Sequence, residues 1–379
     1  MTTAEDFVQD QAAAIATRAE RELEALVAVS SPSGDGKGAE EAFAVCSALL
    51  PGAAEIDRIP CSSPGHAPDL VARLEGHGAP RLLLLGHVDT VIPHREHRPL
   101  RRDNGRLAGS GAVDMKGGVV LALGVMRALE PHREAFAEAA LLLVCDEEWR
   151  TQPFIHAERF AGWDACLCFE AGERTPQETE AVVVRRKAAG TLWVRASGQA
   201  SHSGSAPARG RNALLALTAA AEAVAARNDP DGPLRLTAVP TVLKSGEAFN
   251  VVPAAGELFC DLRADSGEVF DDVAAAVPAE VGGATLTAEL TRRWPGMDSR
   301  EPTAGLLERA GKRLGRPVAA VERGGASDAS HLATTVPVTV DGLGPRGGGA
   351  HTPGEFVRAD ALQSRAEVAL ALTAALLGL

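Results

Sequence analysis

RLLLLGHVDT, residues 81–90, is the stretch on which the fold turns. Residues 81–85 form an apolar run of strand length that breaks at Gly86-His87. The run is continuous rather than alternating, the pattern of a strand covered on both faces. Three more runs repeat it: 139–145 before Asp146-Glu147-Glu148, 165–169 before Glu170, and 337–340 before Asp341-Gly342. Helical stretches lie between them, notably Gly117–Leu129 behind a glycine-rich turn. Buried strands alternating with helices predict an α/β domain, a mixed, mostly parallel sheet sandwiched by helices.

The middle of the chain has a different pattern. Segments 190–196 (GTLWVRA), 234–243 and 256–263 (GELFCDLR) have the character of half-buried strands, and alanine-rich helical segments 212–227 and 269–277 separate them. Two helices over an antiparallel sheet make a compact α+β insert, placed at 186–296. Residues 1–185 and 297–379 then form one discontinuous domain. The C-terminal run 368–379 follows Arg365 and Glu367 and reads as the end of an amphipathic helix.

A chain of 379 residues is long enough for two domains with large cores. Its net charge of −12, from 50 acidic and 38 basic residues, argues against a nucleic-acid partner, which calls for a basic patch. The six cysteines, at 46, 61, 145, 166, 168 and 260, read as buried free thiols of a reducing compartment, not as bridges or metal ligands. Glu5, Asp6 and Asp10 stand where a signal peptide would be basic. No uncharged apolar stretch reaches the ~18 residues a membrane helix needs. These features predict a cytoplasmic protein with no membrane partner.

The residues that carry chemistry cluster at the strand ends. On extended backbone His87 and Asp89 project to the same side, so one can ligate a metal while the other orients it. In GSGAVDMKGG (109–118) the glycines allow close backbone approach, and Asp114 is placed to bridge two cations. This turn lacks the spacing of a phosphate-binding loop. Glu147 and Glu148 point to opposite sides of their strand end, so one can bind metal while the other serves as general base. Glu170 ends the next strand, and His351 lies in a loop after the last one. Open α/β sheets gather ligands at the carboxyl ends of their strands. Nitrogen and oxygen donors without thiolate suit zinc best, with Co²⁺ or Mn²⁺ as substitutes. Two such cations about 3.5–4 Å apart can clamp a water and a carbonyl oxygen together.

These segments resemble the co-catalytic dizinc exopeptidases and deacylases, the family of glutamate carboxypeptidase, aminoacylase, acetylornithine deacetylase and succinyl-diaminopimelate desuccinylase. LLLLGHVDTV (82–91), GSGAVDMKGG (109–118), CDEE (145–148), FEAG (169–172), GQASHSGSAPARGRNAL (198–214), FNVVP (249–253), DLRAD (261–265), GGASDASH (324–331) and GLGPRGGGAHTPGEFV (342–357) carry the resemblance, in the family's order.

The resemblance implies a zinc-exopeptidase fold whose insert is a lid and dimerisation domain, two zinc ions per subunit, and a homodimer. Asp114 would bridge the ions, with His87 and Glu170 on one and Glu148 and His351 on the other. Asp89 would orient His87, and Glu147 would be the general base. His202 would reach the partner subunit's active site and polarise the scissile carbonyl, while Asn250 and Arg263 would contact substrate. The implied reaction is hydrolysis of an amide bond beside a free carboxylate. The substrate is then a small peptide cut by a carboxypeptidase or, alternatively, an N-acyl amino acid cut by a deacylase. A catalytically inactive metal-binding relative is the third reading, and a free glutamate beside Glu148 speaks against it. The chain departs from the family at Trp149-Arg150-Thr151, where small residues are usual and a bulky wall is expected. His331 is expected to be structural.

Overall fold

The computed structural model describes residues 4–379, and of residues 4–6 only the backbone, so the side chains of Glu5 and Asp6 lie outside the described residues. The chain divides into two compact units. One holds the residues up to Arg185, with Asp298–Glu322 and Ser327–Leu379, and the other holds Arg186–Met297 with Arg323–Ala326. That last short stretch, which the sequence pattern groups with 297–379, joins the second unit by backbone and side-chain hydrogen bonds. Lys187 N–H donates to the Arg323 carbonyl at 3.3 Å, and the Arg186 guanidinium to the Gly325 carbonyl at 2.8 Å.

The first unit is an α/β sandwich. Strands β1 (Glu55–Ile59), β2 (Asp69–Glu75), β3 (Arg81–His87), β4 (Glu138–Val144) and β5 (Ala165–Cys168) form a sheet in the order β1-β2-β4-β3-β5, and Thr339–Val340 adds its last strand beside β5. The first two pairings are antiparallel and the other three parallel. The sheet is therefore mixed and mostly parallel. Leu82–Leu85 and Ala139–Val144 are all 0–1% exposed, which explains their unbroken hydrophobicity. The expected final strand shortens from 337–340 to two residues.

Helices α1 (Ala4–Val27), α2 (Gly36–Leu49) and α3 (Gly117–Leu129), with Arg300–Leu314 and Ala359–Leu377, accompany the sheet. The C-terminal helix is not amphipathic. Residues 365–375 are buried on every face, and even Arg365 is fully enclosed, donating to Glu180 at 2.9 Å and to the Gly344 carbonyl at 3.2 Å. A helix apolar all round belongs to the interior. Gly118, in the first turn of α3, lies so close to the end of β5 that a Cβ there would sit 1.8 Å from the Phe169 carbonyl oxygen. The glycine-rich turn thus lets Asp114 approach the neighbouring strand ends.

The second unit is α+β. Strands β6 (Ala188–Ser197), β7 (Thr237–Ser245), β8 (Ala255–Ala264), β9 (Glu280–Val281) and β10 (Ala284–Trp294) form an antiparallel sheet in the order β7-β8-β6-β10-β9. Along β6, Leu192, Val194 and Ala196 are buried while Thr191, Trp193 and Arg195 are not, the alternation of a half-covered strand. Helices α4 (Ala213–Ala225) and α5 (Val269–Ala275) supply the apolar cover, with Leu217, Val224 and Phe270 in the core.

Candidate metal centre

Because β3, β4 and β5 run parallel in register, their carboxyl ends fall together at one edge of the sheet. His87 ends β3, Asp146-Glu147-Glu148 follows β4 by one residue, and Glu170 follows β5 by one. Asp114 comes from the turn before α3, across the cis Asp114–Met115 peptide.

Seven of the residues singled out in the sequence meet here. The two carboxylate oxygens of Asp114 face different imidazoles, Oδ1 lying 3.2 Å from His87 Nε2 and Oδ2 3.1 Å from His351 Nε2. Glu170 Oε1 is 3.7 Å from His87 Nε2, and Glu148 Oε2 is 3.2 Å from His351 Nε2. Behind His87, Asp89 Oδ1 is 3.3 Å from Nδ1. The Asp89 carboxylate also accepts the backbone N–H groups of Glu147 at 3.3 Å and Glu148 at 3.1 Å. This one buried carboxylate therefore orients the histidine and fixes the adjacent-glutamate segment. The Glu147 side chain has no hydrogen-bond partner among the described residues.

The electrostatics are those of a site with too much negative charge for its own protons. Burial opposes charge on His87, yet hydrogen bonds with Asp114 and Asp89 hold its pKa well above the ordinary value. Asp114 and Glu148 push His351 up to about 10. Burial raises Asp114, but His351 and His87 outweigh it and hold this carboxyl well below the usual range. Burial lifts Glu147 well above a normal carboxyl, with His87 opposing and Glu170, Asp328 and Glu148 adding to the rise.

The donors fit metal ions. Tetrahedral ligands about 2.0–2.1 Å from zinc lie about 3.3 Å from each other, close to the spacings seen here. His87, Asp114 and Glu148 each offer a donor atom within 4.8 Å of the others. Glu148 Oε1 is buried without a hydrogen-bond partner, an acceptor that a cation would satisfy.

Several residues support the site in ways the sequence did not foretell. Glu355 receives the N–H groups of Gly111 and Val113 at 2.8 Å and of Asp114 at 3.0 Å, and so positions the shared aspartate. Arg150, expected to bulk out a wall, is instead drawn inward and neutralises Asp146 and Asp328. Trp149 turns outward and is 59% exposed. His331 stacks on Phe154, with ring centroids 5.1 Å apart. Of these, only Glu355 had a readable hint, an acidic residue four positions past His351 in a glycine-rich loop.

The other three site residues belong to the second unit. His202 pairs with Val251 in a two-residue ladder, and Ser203 N–H donates to the Asn250 carbonyl at 3.0 Å, so His202 and Asn250 are neighbours. His202 Nδ1 accepts the backbone N–H groups of Gly204 and Ser205, both at 3.1 Å, which in the neutral ring leaves the proton on Nε2. Arg263 is engaged by Asp261 through two hydrogen bonds of 3.0 Å.

The family described as peptidase family M20/M25/M40 matches residues 83–375. Among curated relatives, carboxypeptidase G2 of Pseudomonas sp. (strain RS-16) is 27% identical, over 92% of this chain and 87% of its own. Acetylornithine deacetylase of Salmonella arizonae is 30% identical, over 74% of this chain and 76% of its own. The crystal structure of aminopeptidase PepT from Bacillus cereus superposes with a TM-score of 0.76 at 20% identity, covering 95% of this chain and 98% of that one.

Proposed function

Since the chain belongs to peptidase family M20/M25/M40, we propose that it is a dizinc carboxypeptidase that hydrolyses the amide bond next to a free carboxylate. The observation that carries this reading is the Asp114 carboxylate shared between His87 and His351, with an uncommitted, half-buried Glu147 alongside. His87, Asp114 and Glu170 would hold one ion and Asp114, Glu148 and His351 the other, with Co²⁺ or Mn²⁺ as substitutes. Bound zinc polarises a carbonyl and acidifies water.

The remaining work falls to the chain's own groups. Glu147, half-buried beside the carboxylates Glu148, Glu170 and Asp328, has the raised basicity that suits a proton acceptor. It takes the proton of the attacking water and returns it to the departing amine. Asp89 keeps His87 in orientation and Glu147 on its backbone tether. His202 presents its Nε2–H to the oxygen that gains negative charge. Arg263 trades Asp261 for the substrate carboxylate, a like-for-like exchange for a guanidinium fork. Asn250 adds a polar contact beside His202.

We assign the insert the role of lid and dimerisation domain, with His202 donated to the partner's site in a homodimer. The edge strand β7 supports this. Val239, Val242 and Leu243 on it are 40–47% exposed, and an apolar edge of this kind is normally covered by another chain. None of the six cysteines forms a disulfide, which fits a cytoplasmic setting. No helix among the described residues is long and apolar enough to cross a membrane. The similarity to acetylornithine deacetylase keeps an N-acyl-amino-acid deacylase as the second reading.

An amine-release screen of zinc-loaded protein tests both. Dipeptides and N-acyl amino acids are offered as free acids and as C-terminal amides. Turnover is expected for free acids only, and N-acylated glutamate-like substrates should lead. Equal turnover of acids and amides would remove the carboxylate requirement, and no turnover of either would favour an inactive metal-binding relative.

A further inference from the structure

A second group of metal-type donors, separate from the carboxylate-rich centre, is used by nothing in the proposed reaction. Cys61, His66 and Cys145 each bring one donor atom within 4.8 Å of the others. Cys145 directly follows β4. Its N–H donates to Asp69 Oδ1 at 3.1 Å and its thiol to the Ala67 carbonyl at 3.2 Å. A hydrogen bond with Cys61, and then burial, push the Cys145 thiol pKa up, so the two sulfurs are in contact.

The loop bearing Cys61 and His66 turns through Gly65 at φ +84° and is fastened to the segment that follows β4. Ser63 N–H donates to Asp146 Oδ2 at 2.9 Å, Thr151 N–H to Ser63 Oγ at 3.0 Å, and Ile155 N–H to Ser62 Oγ at 3.2 Å. The three donors are thus held by anchored backbone. His66 Nδ1 is buried and has no hydrogen-bond partner. Core packing accounts for Cys145, which is 2% exposed. Cys61 is half-buried and packs partly against the same core, but packing does not account for the idle buried nitrogen of His66 beside it.

We propose that Cys61, His66 and Cys145 form a further metal site, for a thiophilic divalent cation of the zinc type. Sulfur and imidazole donors select such ions over the hard cations that carboxylates prefer. Around zinc, with bonds of about 2.3 Å to sulfur and 2.0–2.1 Å to nitrogen, neighbouring donors lie roughly 3.4–3.8 Å apart. The three donors, all within 4.8 Å of one another, lie near that spacing. Asp69 and Asp146 border the site through their bonds to the Cys145 and Ser63 N–H groups, but they are already paired with His156 and Arg150, so the sulfur and imidazole donors themselves would hold the cation. Such an ion clamps loop 61–66 to the residue that leads into Asp146-Glu147-Glu148, bracing the segment that carries the general base and a metal ligand of the main centre.

Cobalt loading of the reduced, full-length protein tests this, because thiolate-to-cobalt charge transfer absorbs in the near ultraviolet and the main centre has no sulfur. Wild type is expected to develop this band, which saturates once cobalt is added in excess over all its sites, and to hold one more ion by elemental analysis than Cys61→Ser. Cys61→Ser should lose the band, His66→Gln should need at least tenfold more cobalt to reach it, and Glu148→Ala should keep it. No band in reduced wild type, or an unchanged band in Cys61→Ser, overturns the site. The band does not depend on the carboxylate-rich centre, so this proposal and the dizinc reading fail independently.

Discussion

His87 and Asp89 are each 1% exposed, and Asp89 and Glu355 hold His87, the adjacent-glutamate segment and Asp114 from behind, while His351 stands exposed beside them. In the second unit, His202 and Asn250 are exposed, and Phe249 beside them is wholly in solvent. The sheet unit fixes its reactive groups before any ligand arrives, through Asp89, Glu355 and Arg150. The insert presents His202 and Asn250 on a short exposed ladder and Arg263 on the half-covered face of an inner strand, where among the described residues its side chain is hydrogen-bonded by Asp261 alone. Preorganised groups suit bond breaking, because their orientation has already been fixed on folding. Exposed groups suit recognition, which is completed on contact.

The sharpest test of this division is within two adjacent residues. Glu147→Ala should lower turnover about 10²–10⁴-fold, as expected on removing a general base, while both metals stay bound. Glu148→Ala should instead lose one metal by elemental analysis. Equal metal loss in the two variants would show that the roles of the glutamates are not separate.

A second test joins the two units. His202→Ala and Glu147→Ala proteins should each be nearly inactive, and mixing them with subunit exchange should restore activity. Random pairing makes about half of the dimers mixed, with one intact site each, so recovery should approach a quarter of wild type when His202 acts across a two-fold dimer. A mixture that stays inactive despite exchange would place His202 within its own subunit's site or outside catalysis.

The smallest effect concerns metal-free protein. His351 is raised from 6.5 to about 10, so its protonated form stabilises the folded state. That contribution is complete below pH 6.5 and is lost as pH rises through about 10. The Tm of metal-free protein should therefore fall across this window, and His351→Gln should flatten the decline. Zinc-loaded protein should not show it, because a ligating imidazole is already unprotonated. A Tm of metal-free protein that stays level over this range would mean that His351 is not held by Asp114 and Glu148 in solution.

By itself the sequence determined the strands of the central sheet, the change of pattern at the insert, and the main candidate donors. The reason is physical: parallel strands buried on both faces must be unbroken apolar runs, so the polar residues that interrupt them mark the functional edge of the sheet. His87, Glu148 and Glu170 stand out for that reason. Only the tertiary structure decided which groups support them. Glu355 lies 241 residues from Asp114, and Arg150 lies 178 from Asp328, separations across which no local pattern carries information. The same holds for the C-terminal helix, whose charged residues suggested a solvated face until Glu180 and the Gly344 carbonyl enclosed Arg365. It holds as well for Cys61, His66 and Cys145, brought together by the antiparallel pairing of β2 with β4. Burial reads out locally because each residue meets its own environment, whereas a partnership exists only once the chain has folded back on itself.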